Sequence, residues 1–309
     1  MLLKVIHTLD CGSCPVSSAA FSSDGTLFAL ASDNGTIRLW HANGTLQHTL
    51  DGHHKPVNCV TFSPNGKLLM SASDDDGTLR LWDVNDGTVQ MELTGYSNPI
   101  AFSPDGTAQA SRLANGNVEL WGAVSKTLKR DKPLAFEPRS KGYHRVLDGF
   151  PEITALAFSP NGSLLACGCD NGMLKLWEMS SEYADDHPGH EDSVIALAFS
   201  QDGEMMASAS YDGTIRLRDM RQACDMFQLK RSSDAVHCLE FSQDGKLLAS
   251  ASFDKQIRLW DMAQGELLDE IKAAGTISAL SFSPCFIRVS VFNDQTQGPY
   301  SINICEITI

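Results

Sequence analysis

Residues 241–260 read FSQDGKLLASASFDKQIRLW, and variants of this stretch recur along the whole chain. The stretch opens with an aromatic residue, serine, any residue, aspartate or asparagine, and then glycine. Phenylalanine anchors six clear copies and one degenerate copy of this motif, at positions 21, 62, 102, 158, 199, 241 and 282, with intervals of 41, 40, 56, 41, 42 and 41 residues. Self-similarity at a nearly fixed period is typical of a repeat architecture.

A second anchor lies near the end of each repeat. It follows the phenylalanine of the first six copies by 19 or 20 residues and is tryptophan in all but the fifth, at Trp40, Trp82, Trp121, Trp177, Arg218 and Trp260. Short apolar runs alternate with Asn-Gly and Asp-Gly pairs, which account for 15 of the 24 glycines. These pairs supply the positive φ angles of tight hairpin turns. The pattern predicts short antiparallel strands, four to a repeat, and almost no helix.

The apolar runs show little polar alternation, so both faces of each small sheet are expected to be covered. Such sheets bury their faces by stacking, and a ring leaves no exposed terminal sheet. We therefore predict an all-β fold, a seven-bladed β-propeller, with residues 1–309 as a single domain. Residues 4–9 (KVIHTL) resemble residues 45–50 (TLQHTL), so residues 2–9 are expected to form the outermost strand of the last blade and close the ring.

Charge and cysteine content narrow the class of protein. The 24 lysines and arginines against 38 aspartates and glutamates give a formal net charge of −14, which disfavours general nucleic-acid binding. No apolar run reaches the roughly 18 residues of a membrane span. Nine cysteines and an opening that carries Lys4, His7 and Asp10 fit a cytoplasmic or nuclear protein without a secretory signal. Cys11 and Cys14 have CxxC spacing but no second pair, so no metal or cofactor is expected.

One basic segment breaks the acidic pattern. Residues 122–141 are predicted to form an insertion loop between the third and fourth strands of blade 3, with the fourth strand delayed to residues 143–147. Its basic side chains are Lys126, Lys129, Arg130, Lys132, Arg139 and Lys141. Long loops on a rigid scaffold are commonly functional or flexible. Two interpretations stay open: a flexible solvated loop, or a docking element for an acidic partner or phosphate.

The sequence resembles the WD40 repeat family, with Trp-Asp at 82–83 and 260–261 and Gly-His at 52–53 and 189–190. The resemblance covers nearly the whole chain and implies blades fastened by a histidine, a serine, an aspartate and the anchor tryptophan. The matching positions are His53, Ser71, Asp76 and Trp82 in blade 2, His190, Ser208 and Asp212 in blade 5, and Ser250, Asp254 and Trp260 in blade 6. Because Arg218 replaces tryptophan, we expect blade 5 to be the weakest, with the guanidinium in water.

The family resemblance also implies a platform that binds proteins or peptides. The expected face carries the loops between second and third strands and between fourth and first strands. The first class of loops offers Asp33, Asp74, Asp75, Asp170, Tyr211 and Phe253, and the second offers His54, Lys55, Asn98, Glu152, Glu191, Asp192 and Asp234. Tyr211 and Phe253 occupy equivalent positions and are candidate anchors, the alternative being that each ring packs on its own loop. Two interpretations of the acidic residues stay open: they attract a basic peptide, or they only keep the protein soluble.

Catalytic motifs are missing, since the chain has no HExxH, GxSxG or Walker-type loop, and a non-catalytic interaction scaffold is therefore predicted. Two alternatives come from the family. Arg218-Asp219-Met220-Arg221 is similar to the Trp-Asp-x-Arg element of WD40 substrate receptors for cullin-4 ubiquitin ligases, with Asp219 and Arg221 matching. The family also includes sensor arrays of NACHT-type signalling proteins.

Overall fold

A computed structural model of the chain describes residues 3–12, 14–122, 144–147, 152–180, 184–230, 232–283, 286–292 and 300–308. Within these ranges the backbone forms 28 strands and no helix. A helix able to cross a membrane is accordingly not found in the described part of the chain.

Six sheets are each built from four consecutive antiparallel strands, and we number them blades 1 to 6 along the chain. Blade 1 contains β2 (Val16–Phe21), β3 (Leu27–Ser32), β4 (Ile37–His41) and β5 (Leu46–Leu50). Blade 2 contains β6 (Cys59–Phe62), β7 (Leu68–Ser73), β8 (Thr78–Asp83) and β9 (Val89–Thr94). Blade 3 contains β10 (Tyr96–Phe102), β11 (Ala108–Leu113), β12 (Val118–Gly122) and β13 (His144–Leu147).

The second half of the chain repeats this plan. Blade 4 contains β14 (Ile153–Phe158), β15 (Leu164–Cys169), β16 (Met173–Glu178) and β17 (Ala184–Pro188). Blade 5 contains β18 (Val194–Phe199), β19 (Met205–Ser210), β20 (Thr214–Asp219) and β21 (Cys224–Lys230). Blade 6 contains β22 (Val236–Phe241), β23 (Leu247–Ser252), β24 (Gln256–Asp261) and β25 (Glu266–Lys272).

One further four-stranded sheet joins the two ends of the described chain, and we call it the composite sheet. Its strands are β26 (Ile277–Ser283), β27 (Phe286–Phe292), β28 (Tyr300–Thr308) and β1 (Leu3–Gly12), in the order β1-β28-β27-β26. Strand β1 runs antiparallel to β28, with Leu3 opposite Ile307 and Gly12 opposite Tyr300. Leu9, which is 3% exposed, packs there with Ile302 and with Phe28 of blade 1.

The prediction of seven near-equivalent blades needs correction, because only six blades arise from one continuous stretch of chain. The seventh motif copy contributes three strands, β26 to β28, which would leave an unpaired edge. The edge is covered by β1, from the opposite end of the sequence. The architecture is an all-β propeller of six contiguous blades, with the composite sheet between blade 6 and blade 1.

The first strand of each sheet lies innermost. Strands β2, β6, β10, β14, β18, β22 and β26 contact one another in that circular order, and β26 contacts β2. Apolar side chains fill the spaces between neighbouring sheets, as between blades 1 and 2, where Ile37, Leu39 and Leu69 are fully buried. Burial on both sheet faces explains why the second and third strands of a blade lack a polar alternation, whereas an outermost strand such as β25 alternates.

The two ends of the propeller differ in their connections. The first strand of every blade ends at the motif phenylalanine, and the Ser-x-Asp/Asn-Gly turn follows on one end, which we call the turn face. In blade 1, Ser22 donates to Asp24 Oδ1 at 2.7 Å, Asp24 accepts from the Thr26 backbone, and Gly25 has a φ of 66°. The opposite end carries the loops from second to third and from fourth to first strands, and we call it the loop face.

The fourth strand of blade 3 follows the predicted basic insertion. Strand β12 pairs directly with β13, with Trp121 opposite His144, so the fourth strand of blade 3 lies where the sequence predicts it. The basic side chains from Lys126 to Lys141 fall outside the described residues.

Candidate functional site

Blade 2 contains a buried hydrogen-bond chain that connects the loop face to the sheet. Trp82 Nε1 donates to Ser71 Oγ at 2.8 Å, Ser71 Oγ lies 2.8 Å from His53 Nε2, and His53 Nδ1 lies 3.0 Å from Asp76 Oδ2. Thr78 donates to Asp76 Oδ1 at 2.6 Å. Asp76 only accepts, so His53 carries its proton on Nδ1 and accepts from Ser71 through Nε2. Every member has a partner, and such a network fixes a single side-chain arrangement.

The pKa values of the hydrogen-bonded residues in blade 2 support a neutral His53. Desolvation lowers the pKa of His53 below its usual value, outweighing the opposite effect of Asp76. Burial alone would raise the pKa of Asp76, but hydrogen bonds from Thr78 and His53 lower it. The pair is therefore a neutral imidazole held by a carboxylate, which is a structural arrangement.

Blade 5 contains the same hydrogen bonds among histidine, aspartate and serine as blade 2, but it has Arg218 in place of the tryptophan. His190 Nδ1 lies 3.1 Å from Asp212 Oδ2, and its Nε2 lies 2.9 Å from Ser208 Oγ. Arg218 is only 8% exposed, so the expectation that its guanidinium lies in water is wrong. The guanidinium donates to Ala223 O at 2.8 Å, in the turn before β21, and to Asp225 at 3.1 Å, at the start of that strand.

We expect Arg218→Trp to raise the melting temperature by about 2–4 °C, the shift that roughly 1 kcal/mol produces in a domain of this size. The pairing of β20 with β21 shifts just before position 218, as it does before Trp82 and Trp260. An indole there can therefore donate to Ser208 as Trp82 does to Ser71. Calorimetry checks the result, with Arg218→Leu as the control that buries apolar surface without a donor. An unchanged or lower melting temperature for the tryptophan variant would contradict the alignment of the repeats.

Blades 6, 3 and 1 depart from the histidine pattern in ways that the sequence analysis missed. In blade 6, Ser232 occupies the histidine position and donates to Asp254 at 3.1 Å, Arg258 Nη2 donates to the same carboxylate at 2.8 Å, and Trp260 donates to Ser250 at 2.9 Å. In blade 3, Trp121 donates to Ser111 at 3.2 Å. Ser111 could have been predicted by alignment with blade 2, since Ser71 and Ser111 are each the fourth residue of the second strand.

Trp40 of blade 1 lacks such an acceptor. Leu30 occupies the serine position, and the buried Nε1 of Trp40 has no hydrogen-bond partner in the described part of the chain. A buried N–H without an acceptor lowers stability. The indole N–H is therefore unfavourable in blade 1, whereas it is satisfied in blade 2.

Two aromatic rings project from neighbouring blades on the loop face. Tyr211 follows β19 of blade 5 and is 53% exposed, and Phe253 follows β23 of blade 6 and is 43% exposed. Phe253 stacks on His237, with ring centroids 4.2 Å apart and an interplanar angle of 14°. The stacking holds one side of the Phe253 ring against its own blade and leaves the other side open.

The predicted acids of the loop face are exposed, at Asp33, Asp74, Asp75, Glu152, Asp170, Glu191, Asp192 and Asp234, as are His54 and Lys55. Some are engaged locally, since Asp74 accepts from the backbone of Asn98 at 2.7 Å and Glu152 pairs with Arg112. Asp74, Arg112 and Glu152 border a groove of about 520 Å³ beside blade 3. The structure thus brings the acids to one end of the propeller.

Asp219 and Arg221 lie on the turn face. Asp219 Oδ1 accepts from the backbone N–H groups of Arg221 and Gln222 at 2.8 and 2.9 Å. Asp261 makes the same two bonds in the turn of blade 6, and Arg221 pairs with Glu204. This geometry gives Asp219 a role in holding a turn.

Within the described ranges, no three His, Cys, Asp or Glu side chains are grouped closely enough to hold a metal ion. Desolvation raises the pKa of buried Cys59 and Cys238 to about 12 in each case, so these thiols stay protonated.

Comparisons with known proteins follow the repeat. The family model "WD domain, G-beta repeat" matches residues 3–41, 44–83, 143–178, 183–219 and 225–261, more than half of the chain. Similar curated proteins include pre-mRNA-processing factor 19 homolog 2 of Arabidopsis thaliana, 28% identical over 57% of this chain and 32% of its own length. COMPASS component SWD3 of Saccharomyces cerevisiae is 27% identical over 53% of this chain and 51% of its own length.

A third relative is the small ribosomal subunit protein RACK1 of Drosophila melanogaster, 31% identical over 47% of this chain and 44% of its own length. The chain thus spans about a third to a half of the length of these curated relatives.

Proposed function

Because this chain belongs to the WD40 repeat family, we propose that it is a non-catalytic interaction scaffold that binds a basic peptide segment of a partner protein on its loop face. The observation that carries the proposal is the pair of exposed rings, Tyr211 and Phe253, on adjacent blades of an acidic surface. Aromatic side chains anchor interfaces because they bury a large area with few rotatable bonds.

Charge supports the choice of a basic partner. Among the described residues, Asp33, Asp75, Asp170 and Glu191 have exposed carboxylates with no hydrogen bond or ion pair. A surface of one sign attracts the opposite charge and steers its approach, and salt weakens that steering. Binding is therefore expected to weaken as the salt concentration rises.

The rigid scaffold under the rings supports the same proposal. Tyr211 and Phe253 are each held at the start of a tight loop by a backbone hydrogen bond, to Ser193 O at 3.1 Å and to Ala235 O at 3.0 Å. These bonds fix the backbone beneath each ring, so little backbone freedom is lost when a partner binds.

The test is the double variant Tyr211→Ala/Phe253→Ala. Affinity purification with the wild type identifies the partner, and titration of its basic segment measures the dissociation constant. We expect the variant to bind at least tenfold more weakly, about 1.4 kcal/mol, with an unchanged melting temperature. Leu268→Ala is the matched control, since Leu268 is 52% exposed on β25, away from the loop face. A folded double variant that retains every partner at full affinity would disprove the proposed site.

The ubiquitin-ligase receptor stays a separate hypothesis. Its test compares Asp219→Ala/Arg221→Ala with Asp261→Ala, which loses the same turn bonds in blade 6. Specific loss of a cullin-4 adaptor by the first variant would support that hypothesis, and recruitment by neither the wild type nor the variants would end it. The NACHT-type sensor array and a docking role for the basic segment 122–141 also stay predictions.

A further inference from the structure

A cavity of about 660 Å³ opens at the turn-face end of the central channel. Strands β2, β18, β22 and β26 line it with the ends that carry their motif phenylalanines, and the turns after β2, β18 and β22 form its rim. It lies at the opposite end of the strands from Tyr211 and Phe253. The cavity is thus a feature distinct from the loop face.

Glu240 on β22 is the unusual residue of this cavity. The residue before the motif phenylalanine is small in the other six copies, at Ala20, Thr61, Ala101, Ala157, Ala198 and Ser281. Small residues fit the inner ends of strands that converge on one axis. Only blade 6 has a long ionisable side chain at this position, and it borders an open volume.

The Glu240 carboxyl has no counter-charge. None of the described residues donates a hydrogen bond to it or forms an ion pair with it. Among the described residues of the cavity wall, Asp24 is the other ionisable side chain, and none is a lysine, arginine or histidine. Asp24 accepts from Ser22 and Thr26 through Oδ1, within its own turn.

The Glu240 side chain is half-buried at the edge of the cavity. Desolvation raises the pKa of Glu240 to about 7, and no other group offsets it. An ionised carboxylate in such surroundings is stabilised by a cation that enters and pairs with it. The structure therefore contains an acceptor for one positive charge.

We propose that this cavity binds the side-chain ammonium group of a lysine presented by a partner protein. A single carboxylate matches a single charge, and the hydroxyl oxygen of Ser281 in the same wall can accept a further ammonium proton. The aliphatic stem of lysine would lie along Phe199, Phe241 and Phe282. The inference does not rest on the proposed function, because the two sites lie on opposite faces.

The chemistry of the wall favours lysine over other cations. A divalent metal ion needs several oxygen ligands, and the described residues provide no such group. A guanidinium brings five donors in a fixed plane, more than one carboxylate and its neighbours would satisfy. A lysine side chain can enter the opening while the chain that carries it stays at the rim formed by the turns.

The test uses a fluorescein-labelled nonapeptide of glycine and serine with one central lysine, followed by fluorescence anisotropy at pH 8. The comparison peptide carries norleucine, which keeps the apolar stem and lacks the amine. We expect the lysine peptide to bind at least tenfold more tightly than the norleucine peptide. We also expect at least tenfold weaker binding at pH 5.5, because Glu240 is then protonated. Equal binding of the two peptides, or no detectable binding at millimolar concentration, would overturn the proposal.

Variants then assign the site. Glu240→Gln keeps the shape of the side chain and is expected to reduce lysine-peptide affinity at least tenfold. Glu240→Ala, which places the residue of four other copies at this position, is expected to do the same. Glu266→Gln removes the same charge from the exposed outer strand β25, outside both proposed sites, and should leave the affinity unchanged. Full affinity in a folded Glu240→Gln protein would refute the assignment.

Two further measurements separate this site from its alternatives. Tyr211→Ala/Phe253→Ala should keep full affinity for the lysine peptide, so failure of one proposed site does not imply failure of the other. Butylammonium, a free amine with the same stem, is expected to compete at least tenfold more weakly than the peptide. Competition as strong as that of the peptide would show a site for small amines and overturn the protein-borne lysine.

Discussion

Trp82→Phe lowers the free energy of unfolding by about 2–3 kcal/mol, whereas Trp40→Phe changes it by less than about 1 kcal/mol. Trp82 is 1% exposed, and its Nε1 donates to Ser71 at 2.8 Å. The smaller ring leaves a cavity and removes a donor from the chain that joins Ser71 to His53 and Asp76. Both losses add to the cost.

Trp40 has the same position in blade 1 but the opposite energetics. Its buried Nε1 faces no acceptor, because Leu30 occupies the serine position. Phenylalanine removes that unsatisfied N–H, and the gain offsets the lost contacts. The same change from tryptophan to phenylalanine is thus expected to destabilise the protein in blade 2 and to have little effect in blade 1. The difference arises because only blade 2 has a serine hydroxyl as the acceptor.

Urea unfolding followed by circular dichroism measures both variants. The double variant Trp82→Phe/Ser71→Ala should cost less than the sum of the two single changes, because the two residues share one hydrogen bond. Equal costs for the two tryptophan variants would show that the buried chain of blade 2 adds nothing to stability.

Glu240→Gln stabilises the protein increasingly as the pH rises, by about 3 kcal/mol relative to the wild type at pH 8. The pKa of Glu240 is about 7 in the folded protein against 4.5 for a free side chain. Between these values the folded state binds more protons than the unfolded state, so wild-type stability falls as the pH rises from about 4.5 through 7. Glutamine does not titrate, and the variant lacks this fall.

Other groups change stability in the opposite sense over part of the same range. Desolvation lowers the pKa values of His53, His190 and His237, so they contribute stability above pH 6.5 that is lost as the pH falls. They are present in both proteins and cancel in the difference. Urea unfolding at pH 5, 6, 7 and 8 gives that difference, with Asp170→Asn as the exposed control. A difference that stays constant with pH would show that folding does not raise the pKa of Glu240.

Features that depend on neighbouring residues could be predicted from the sequence. The Ser-x-Asp/Asn-Gly turn forms because Ser22, Asp24 and Gly25 satisfy one another within four residues. The spacing of phenylalanine and tryptophan places them on the first and third strands of each blade. The histidine chain of blade 2 follows the family pattern, since its four members lie within one repeat.

The sequence by itself determined the repeats, their turns and the all-β class, because those signals are local and each recurs several times. The likeness of residues 4–9 to residues 45–50 also predicted the closing strand, and the pairing of β1 with β28 confirms it. Only the tertiary structure decided that six blades are contiguous and that the seventh sheet is composite. It alone showed that Arg258 pairs with Asp254, that Arg218 is buried and that Glu240 has no hydrogen-bond or charged partner among the described residues. Each of these depends on which atoms of distant segments meet and how much water they exclude, and a linear pattern does not record either quantity.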